Sequence, residues 1–277
     1  MNRRTFLAAL LATPALAAAL AACGDDSEES TSYSFPEVAD AVVLRIGYEG
    51  GFVAPGTNFV NLPTLLVSGD GRVFTPGATT LEYPGALLPA INERSITKEG
   101  IDRLVRLADD AGLLGSAPDY SLPEGDMIAD ASDTVVTITV NGSTYEHRAN
   151  ALGLEHPDGF GSTPARDNLQ QFVTLVTDVA KVAGAENVGD DHTFAPDQYR
   201  LQAMAVDPAQ WTDPSPTVVD WPAGTGVVLA DSAQCATLPA GKGDSLFADA
   251  TQLTFFQEGD VVYQLSVVAA LPGDALC

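Results

Sequence analysis

The sequence predicts an α+β fold, in which an antiparallel sheet built from β-hairpins carries two amphipathic helices on one face and is followed by a β-rich C-terminal lobe. Three observations lead to this prediction. Two hairpin patterns each precede a helical pattern, the helical periodicity disappears after residue 187, and strands and helices do not alternate regularly. Helices gathered on one face of an antiparallel sheet define the α+β class. The lack of regular alternation argues against a Rossmann or solute-binding-protein architecture.

The first half of the chain contains a strand, a hairpin and a helix in succession. Residues 41–48 are rich in β-branched residues and predict a strand, and residues 65–74 predict a hairpin that turns at Asp70-Gly71. Thr97 is suited to cap a helix that continues to about Gly112. The apolar stripe of this helix has the spacing of three and four that buries one face: Ile101, Leu104, Val105, Ala108 and Ala111.

A second hairpin and a second helix follow. Asn141-Gly142 suits a type I′ turn, in which both residues need positive φ. That turn fixes the register, which places the pairs Val140–Ser143, Ile138–Tyr145 and Val136–His147 on one face, and Val135, Thr137, Glu146 and Arg148 on a wetter face. Thr163 caps a helix that has Pro164 in its first turn and ends at Gly184. Further strands are predicted at 199–206, 226–230, 253–256 and 261–268.

The chain begins with the layout of a secretory signal. Arg3 and Arg4 precede an apolar segment at 6–20, which is shorter than the ~20 residues that a membrane-spanning helix needs. The run from Arg3 to Leu7 also resembles the core of a twin-arginine signal, which implies export of a folded protein. Asn2 departs from the Ser or Thr usual in that family, so the Sec route stays open.

The four residues Leu20, Ala21, Ala22 and Cys23 resemble the lipobox of bacterial lipoproteins. The resemblance implies that the Cys23 sulfur carries a diacylglycerol, with palmitate-type acyl chains, and that cleavage leaves Cys23 as the first mature residue. It also implies an extracytoplasmic protein anchored to the bacterial cell membrane by lipid. The alternative is a signal-peptidase cut that removes Cys23 or leaves it as a free thiol.

We therefore predict four segments. Residues 1–22 are a signal peptide, 23–35 a lipidated flexible tether, 36–187 an α+β domain with two hairpin-helix units, and 188–277 a β-rich lobe. The mature part also loosely resembles secreted proteins and lipoproteins of actinobacteria. The segments that carry this second resemblance are 67–74, 111–113, 133–140 and 271–277, and it implies no activity.

If Cys23 is acylated, Cys235 and Cys277 remain as a pair. An even number of cysteines in an oxidising compartment predicts a disulfide, and the alternative is two free thiols. The bridge would close a loop over residues 235–277, a constraint worth roughly 4 kcal/mol in the chain-entropy model.

The formal net charge of −24 bounds the partners. Such a surface repels nucleic acid and anionic headgroups, so we expect no nucleic-acid partner, and it attracts cations. Removal of residues 1–22, which contain two arginines and no acid, makes the charge more negative still. The simpler interpretation is solubility.

Residues 243–246 spell the block that names the GDSL-type esterases, in which the serine is the nucleophile and a later histidine is the base. No histidine follows Ser245 here, so the block predicts a turn. His147 is predicted to be a satisfied core or edge histidine, and His156 lies in a turn sequence. The adjacent residues 190–192 (Asp-Asp-His) form a weak metal candidate, because ligands need to converge from supported positions.

Carboxylates crowd the segment after the first helix: Asp119, Glu124, Asp126, Asp130 and Asp133. They are weak candidates for a Ca²⁺ site, since Ca²⁺ takes six to eight oxygen ligands, and the alternative is a solvated acidic loop. No other cofactor is predicted. Trp211 and Trp221 flank a proline-rich stretch, where burial is favoured over stacking on a sugar.

The sequence thus predicts an envelope-anchored lipoprotein with a non-enzymatic binding or structural role. Its expected partners are the membrane, through the lipid anchor, and an envelope protein or glycan. The alternatives are an extracytoplasmic hydrolase and a Ca²⁺-binding or sugar-binding module. A buried Ser245 with scattered histidines would argue against the hydrolase, and convergent carboxylates near Asp126 would favour the metal site.

Overall fold

The computed structural model describes residues 32–123, 128–154 and 161–277. Tyr33–Cys277 form one compact unit, and its described part has the predicted α+β fold, with most of its strands antiparallel. The strands are β1 (Val42–Gly50), β2 (Leu65–Ser68), β3 (Arg72–Pro76), β4 (Ile91–Ser95), β5 (Ser132–Val140), β6 (Ser143–Asn150), β7 (His192–Thr193), β8 (Gln198–Val206), β9 (Thr217–Asp220), β10 (Ala236–Pro239), β11 (Thr254–Glu258) and β12 (Val261–Ala269). The helices are α1 (Lys98–Asp110), α2 (Pro164–Val176), α3 (Val179–Ala183) and α4 (Ala240–Phe247).

The first sheet has seven strands in the order β6-β5-β1-β2-β3-β4-β7, and every neighbouring pair is antiparallel. Both predicted hairpins are present, one on each side of β1. The turn of the second hairpin has φ of 52° at Asn141 and 72° at Gly142, as a type I′ turn requires. All three predicted cross-strand pairs are therefore confirmed. The first hairpin is followed by β4 before α1, so the two hairpin-helix units are not equivalent.

The helices begin where side-chain caps were predicted. The Thr97 hydroxyl accepts the backbone N–H of Gly100, and the Thr163 hydroxyl accepts that of Arg166. The prediction of one helix up to Gly184 is wrong, because α2 ends at Val176 and α3 starts after Asp178. The Asp178 carboxylate accepts the N–H of Lys181 and so caps a new helix instead of continuing the old one.

The first core joins helices α1 and α2 to the first sheet. Its buried side chains include Leu44, Ile46, Val136 and Ile138 from the strands, and Ile101, Leu104, Leu169 and Phe172 from the helices. Tyr33 also belongs to this core, and its hydroxyl donates to Asp109 at 2.7 Å. The compact unit therefore begins at Tyr33, before the predicted domain start at residue 36.

The second sheet has the order β10-β8-β12-β11-β9, with β9 parallel to β11 and the other pairs antiparallel. All of its strands come from the chain beyond residue 187. The same part of the chain also supplies β7 to the first sheet. The second core combines Leu66 and Phe74 of the first sheet with Leu201, Phe256 and Leu265 of the second. Both sheets thus contribute to this second core.

The predicted strand at 226–230 is wrong. Its backbone is held by side chains instead of a ladder, since the Trp221 indole N–H donates to Val227 O and the Leu229 N–H donates to Glu258 Oε2, both at 2.9 Å. A 3₁₀ turn follows at Leu229–Asp231. Strands β9 and β10 were not predicted.

Residues 243–246 lie in helix α4, so the predicted turn is also wrong. Glycine is a poor helix former, but Gly243 lets the helix approach the Tyr199 ring, where an added Cβ would lie 2.6 Å from the ring carbon Cδ2. The Tyr199 hydroxyl donates to Asp244 at 2.8 Å. Contact with the sheet therefore supports a helix that its local sequence does not favour.

Candidate functional site

The candidate site is a cleft of about 560 Å³ between strands β1 and β8, with the 51–64 loop along one side. Polar and aromatic side chains dominate its lining. The lining residues are Arg45, Gly47, Tyr48, Glu49, Gly56, Asn58, Phe59, Asn61, Leu62, Pro63, Arg200, Gln202 and Gln234. A polar cleft of this size is large enough for a small molecule.

Strand alternation explains why β1 can serve both the core and the cleft. Leu44 and Ile46 point into the first core, so Arg45, Gly47 and Glu49 point to the opposite side. Gly47 adds no side chain to the cleft, and a Cβ at this position would lie 3.8 Å from Pro63 Cα. At the rim, Glu49 pairs with Arg148 at 2.7 Å, and Arg148 also pairs with Asp133 and Glu146.

Two arginines from different sheets meet a single carboxylate at the cleft. Arg45 Nη1 donates to Asp274 Oδ1 at 3.1 Å, and Arg200 Nη1 lies 3.4 Å from Asp274 Oδ2. The Asp274 side chain is only 10% exposed, whereas those of Arg45 and Arg200 are 34% and 23% exposed. The Leu271 N–H also donates to Asp274 Oδ2, at 3.1 Å, and fixes this carboxylate.

Arg200 is held mainly by packing. Its guanidinium carbon lies 5.3 Å from the centroid of the Phe59 ring, so the 51–64 loop covers one face of the cation. Within the described residues, Arg200 Nε is buried and has no hydrogen-bond partner. Buried polar atoms without partners are rare in folded proteins, which marks this guanidinium as unusual.

The walls of the cleft offer neutral hydrogen-bonding groups. Asn61 donates to Tyr48 O, and Gln202 donates to Ala233 O, which leaves the carbonyl oxygen of each amide available as an acceptor. The side-chain amides of Asn58 and Gln234 make no hydrogen bond within the described part of the chain. The cleft therefore presents cations, amides and an aromatic ring to one small volume.

The disulfide between Cys235 and Cys277 stabilises the segment that carries Asp274. The structure confirms this predicted pair, with Cα atoms 5.4 Å apart. The Cys277 N–H also donates to the Thr237 hydroxyl at 3.1 Å. The bridge thus fastens residues 271–277 to β10, at the edge of the second sheet.

The sequence predicts no catalytic residue, and the serine and histidines considered for catalysis do not come together in the described ranges. Ser245 is exposed on α4, and neither of the described histidines, His147 and His192, hydrogen-bonds to it. His147 is buried with partners for both ring nitrogens, as predicted. His192 lies on β7, 3.5 Å from Glu93, and His156 lies outside the described residues. Among the residues that the structure describes, Ser245 therefore has no histidine base beside it, as the esterase hypothesis would require.

The acidic candidates are only partly described, since Glu124 and Asp126 lie outside the described residues. Asp119 accepts the Ser121 N–H, and hydrogen bonds from Ser121 lower the pKa of its carboxyl group. Asp133 pairs with Arg148, and Asp130 lies in a turn. Among the residues that the structure describes, no group of three or more His, Cys, Asp or Glu side chains is placed to hold a metal ion. The Ca²⁺ site stays a prediction.

The 190–192 segment and the tryptophans have structural partners. Asp191 accepts two hydrogen bonds from the Arg94 guanidinium, which directs it away from a shared site with its neighbours. Trp221 is buried, as predicted, and packs edge-on against Phe256, while Trp211 is half-buried against Phe255.

Sequence reasoning missed the cleft entirely. The available signal was a pair of arginines, Arg45 and Arg200, each inside an apolar strand of a strongly acidic chain. Charged residues rarely lie at such positions unless they are paired. Nothing in the sequence indicated that both arginines face Asp274.

The lipobox residues Leu20, Ala21, Ala22 and Cys23, together with Arg3 and Arg4, lie outside the described residues. Across the ranges that the structure does describe, no helix has the length and apolar composition needed to cross a bilayer. Comparison with known proteins finds no matching family model, no matching curated protein and no matching solved structure.

Proposed function

We propose that this protein is a lipid-anchored, extracytoplasmic binding protein without catalytic activity, and that the cleft between β1 and β8 holds its ligand. The cleft is the single observation that supports a binding role. It combines a volume suited to a small molecule with amide and guanidinium groups that lack a full set of partners. The N-terminal sequence supports the anchor, because residues 20–23 resemble a lipobox and a polar, acidic stretch follows.

Gly47 provides a test of the cleft that leaves the surrounding chemistry in place. Gly47→Leu would fill the cleft with a side chain, whereas Gly47→Ala would add one carbon at an ordinary contact distance. The full chain and both variants are incubated with the small-molecule fraction of the host envelope, separated by gel filtration, and analysed for co-eluting compounds by mass spectrometry. We expect one compound to co-elute with the wild type and with Gly47→Ala, but not with Gly47→Leu. Co-elution with all three proteins, or with none, would contradict a ligand in this cleft.

The anchor has an independent test in the host. Cys23→Ala should move the protein out of the membrane fraction and abolish incorporation of a labelled fatty acid, while Ser27→Ala in the adjacent stretch should change neither. Substitution of both Arg3 and Arg4 by Lys should block export if the twin-arginine route is used. Membrane retention of Cys23→Ala would contradict the lipid anchor and leave the cleft hypothesis unaffected.

A further inference from the structure

The part of the cleft around Arg45 and Arg200 contains an excess of positive charge, although the chain as a whole carries −24. Arg45 and Arg200 face one carboxylate, that of Asp274. The carboxylate of Glu49 lies at the rim and contacts Arg148, which also pairs with Asp133 and Glu146. Other charges on the protein act weakly here, because the Debye length is about 8 Å at physiological ionic strength. The local balance of two cations against one anion therefore determines which ligand charge is complementary.

The two guanidinium groups also have donors without a hydrogen-bond partner among the described residues. An arginine side chain has five N–H donors. Within the described residues, Arg45 donates only to Asp274, and Arg200 makes an ion pair at 3.4 Å without a hydrogen bond. The Nε of Arg200 is buried, and if the only role of this residue were to hold the two sheets together, we would expect that donor to be satisfied, as buried polar groups usually are.

On these grounds, and resting on the proposed binding function, we propose that the cleft selects small molecules that carry a single carboxylate. The planar fork of a guanidinium matches two carboxylate oxygens, and such charge-assisted hydrogen bonds are stronger than neutral ones. Beyond the carboxylate, hydroxyl or amide groups of the ligand would face Asn58, Asn61 and Gln234. The carboxylate is the shared chemistry of an acidic sugar and an acidic peptide fragment.

Matched pairs of probes isolate the carboxylate. Glucuronate and glucose differ at one carbon, where the acid has a carboxylate and the neutral sugar a hydroxymethyl group, and N-acetylalanine and N-acetylalaninamide differ only by a carboxylate against an amide. Each is titrated into the purified full chain by isothermal calorimetry, at two salt concentrations. We expect one acid to bind at least about tenfold more tightly than its neutral analogue. The affinity of that acid should fall at the higher salt concentration. The pair that shows the preference distinguishes a sugar from a peptide source.

Variants of the two arginines then test whether they cause the preference for the acid. Arg45→Gln and Arg200→Gln should each remove most of the preference, while Arg103→Gln, which breaks an exposed pair with Glu186, should leave it unchanged. Thermal melting confirms folding, and if either glutamine variant unfolds, Arg45→Lys and Arg200→Lys keep the charge but lose the fork. Those lysine variants should weaken the preference severalfold.

The outcomes separate this inference from the proposed function. Equal binding of acid and neutral analogue, or no saturable binding of either acid, would overturn the carboxylate inference. The cleft would still be a binding site if a neutral envelope compound co-eluted with the wild type and not with Gly47→Leu. A preference that survived in both arginine variants would also overturn the inference, because the carboxylate would then be recognised elsewhere.

Discussion

The hydroxyl of Tyr120 lies 2.8 Å from Nδ1 of His147 inside the first core. The other ring nitrogen, Nε2, lies 2.8 Å from Leu113 O, and a carbonyl oxygen can only accept. Nε2 therefore carries the proton, so in the neutral ring Nδ1 accepts the hydrogen bond of Tyr120. This pair links the segment after α1 to β6, and burial raises the pKa of the Tyr120 phenol to about 12.

Tyr120→Phe should lower the free energy of unfolding by about 1–3 kcal/mol, because it leaves Nδ1 of a fully buried histidine without a partner. Tyr145→Phe is the matched control. Tyr145 is half-buried opposite Ile138 on the same hairpin, and its hydroxyl has no partner within the described residues. Urea unfolding of both variants measures the difference. Equal losses would show that the hydrogen bond to His147 contributes nothing.

Alkaline pH should destabilise the fold over a defined range. Tyr33, Tyr120 and Tyr199 each have a pKa raised from 10.0 to about 12, mainly by burial, with Asp109 adding to the effect at Tyr33 and Asp244 at Tyr199. The folded state then holds these protons more tightly than the unfolded state. Their contribution is fully present below pH 10 and is lost as the pH rises towards about 12.

Urea unfolding at a series of pH values, together with the ultraviolet absorption of tyrosinate, measures this loss. Tyr199→Phe should reduce the slope of stability against pH above pH 10, because it removes one of the three titrating groups. A free energy of unfolding that stays constant between pH 10 and about 12 in the wild type would contradict the raised pKa values.

Loss of the disulfide should lower stability by about 2–4 kcal/mol, since Cys235 and Cys277 close a loop with a sequence separation of 42. The double variant Cys235→Ser with Cys277→Ser removes the bridge without leaving a free thiol. Cys23→Ser is the control and should leave the melting temperature of the compact unit unchanged. If reducing agent and the double variant both leave the melting temperature unaltered, the bridge does not stabilise the fold.

Two glycine substitutions should change the free energy of unfolding in opposite directions. Gly142→Ala should cost about 1–2 kcal/mol, because the turn holds this residue at a φ of 72° and no atom outside its neighbours lies within 4 Å of the new carbon. Gly241→Ala, exposed in helix α4 and equally unhindered, should stabilise by about 0.5–1 kcal/mol. Thermal melting of the two variants makes the comparison. A loss of similar size in both would point to side-chain contacts instead of backbone strain.

Local signals predicted part of this fold well. Asn141-Gly142 determined its hairpin register, and Thr97 and Thr163 marked two helix starts, because turns and caps depend on a few adjacent residues. The same reasoning failed where distant contacts compete with local preference. Helix α4 forms on the Tyr199 ring despite its glycines, and side-chain hydrogen bonds to Val227 and Leu229 replace a strand.

The sequence by itself determined the fold class, the turns and caps, and the pairing expected for Cys235 and Cys277, since each depends on composition or on neighbouring residues. Only the tertiary structure decided the cleft. Arg45 and Asp274 are 229 residues apart in the chain, and Arg200 lies between them on another sheet. Their meeting depends on how two sheets share a core, which no local pattern encodes.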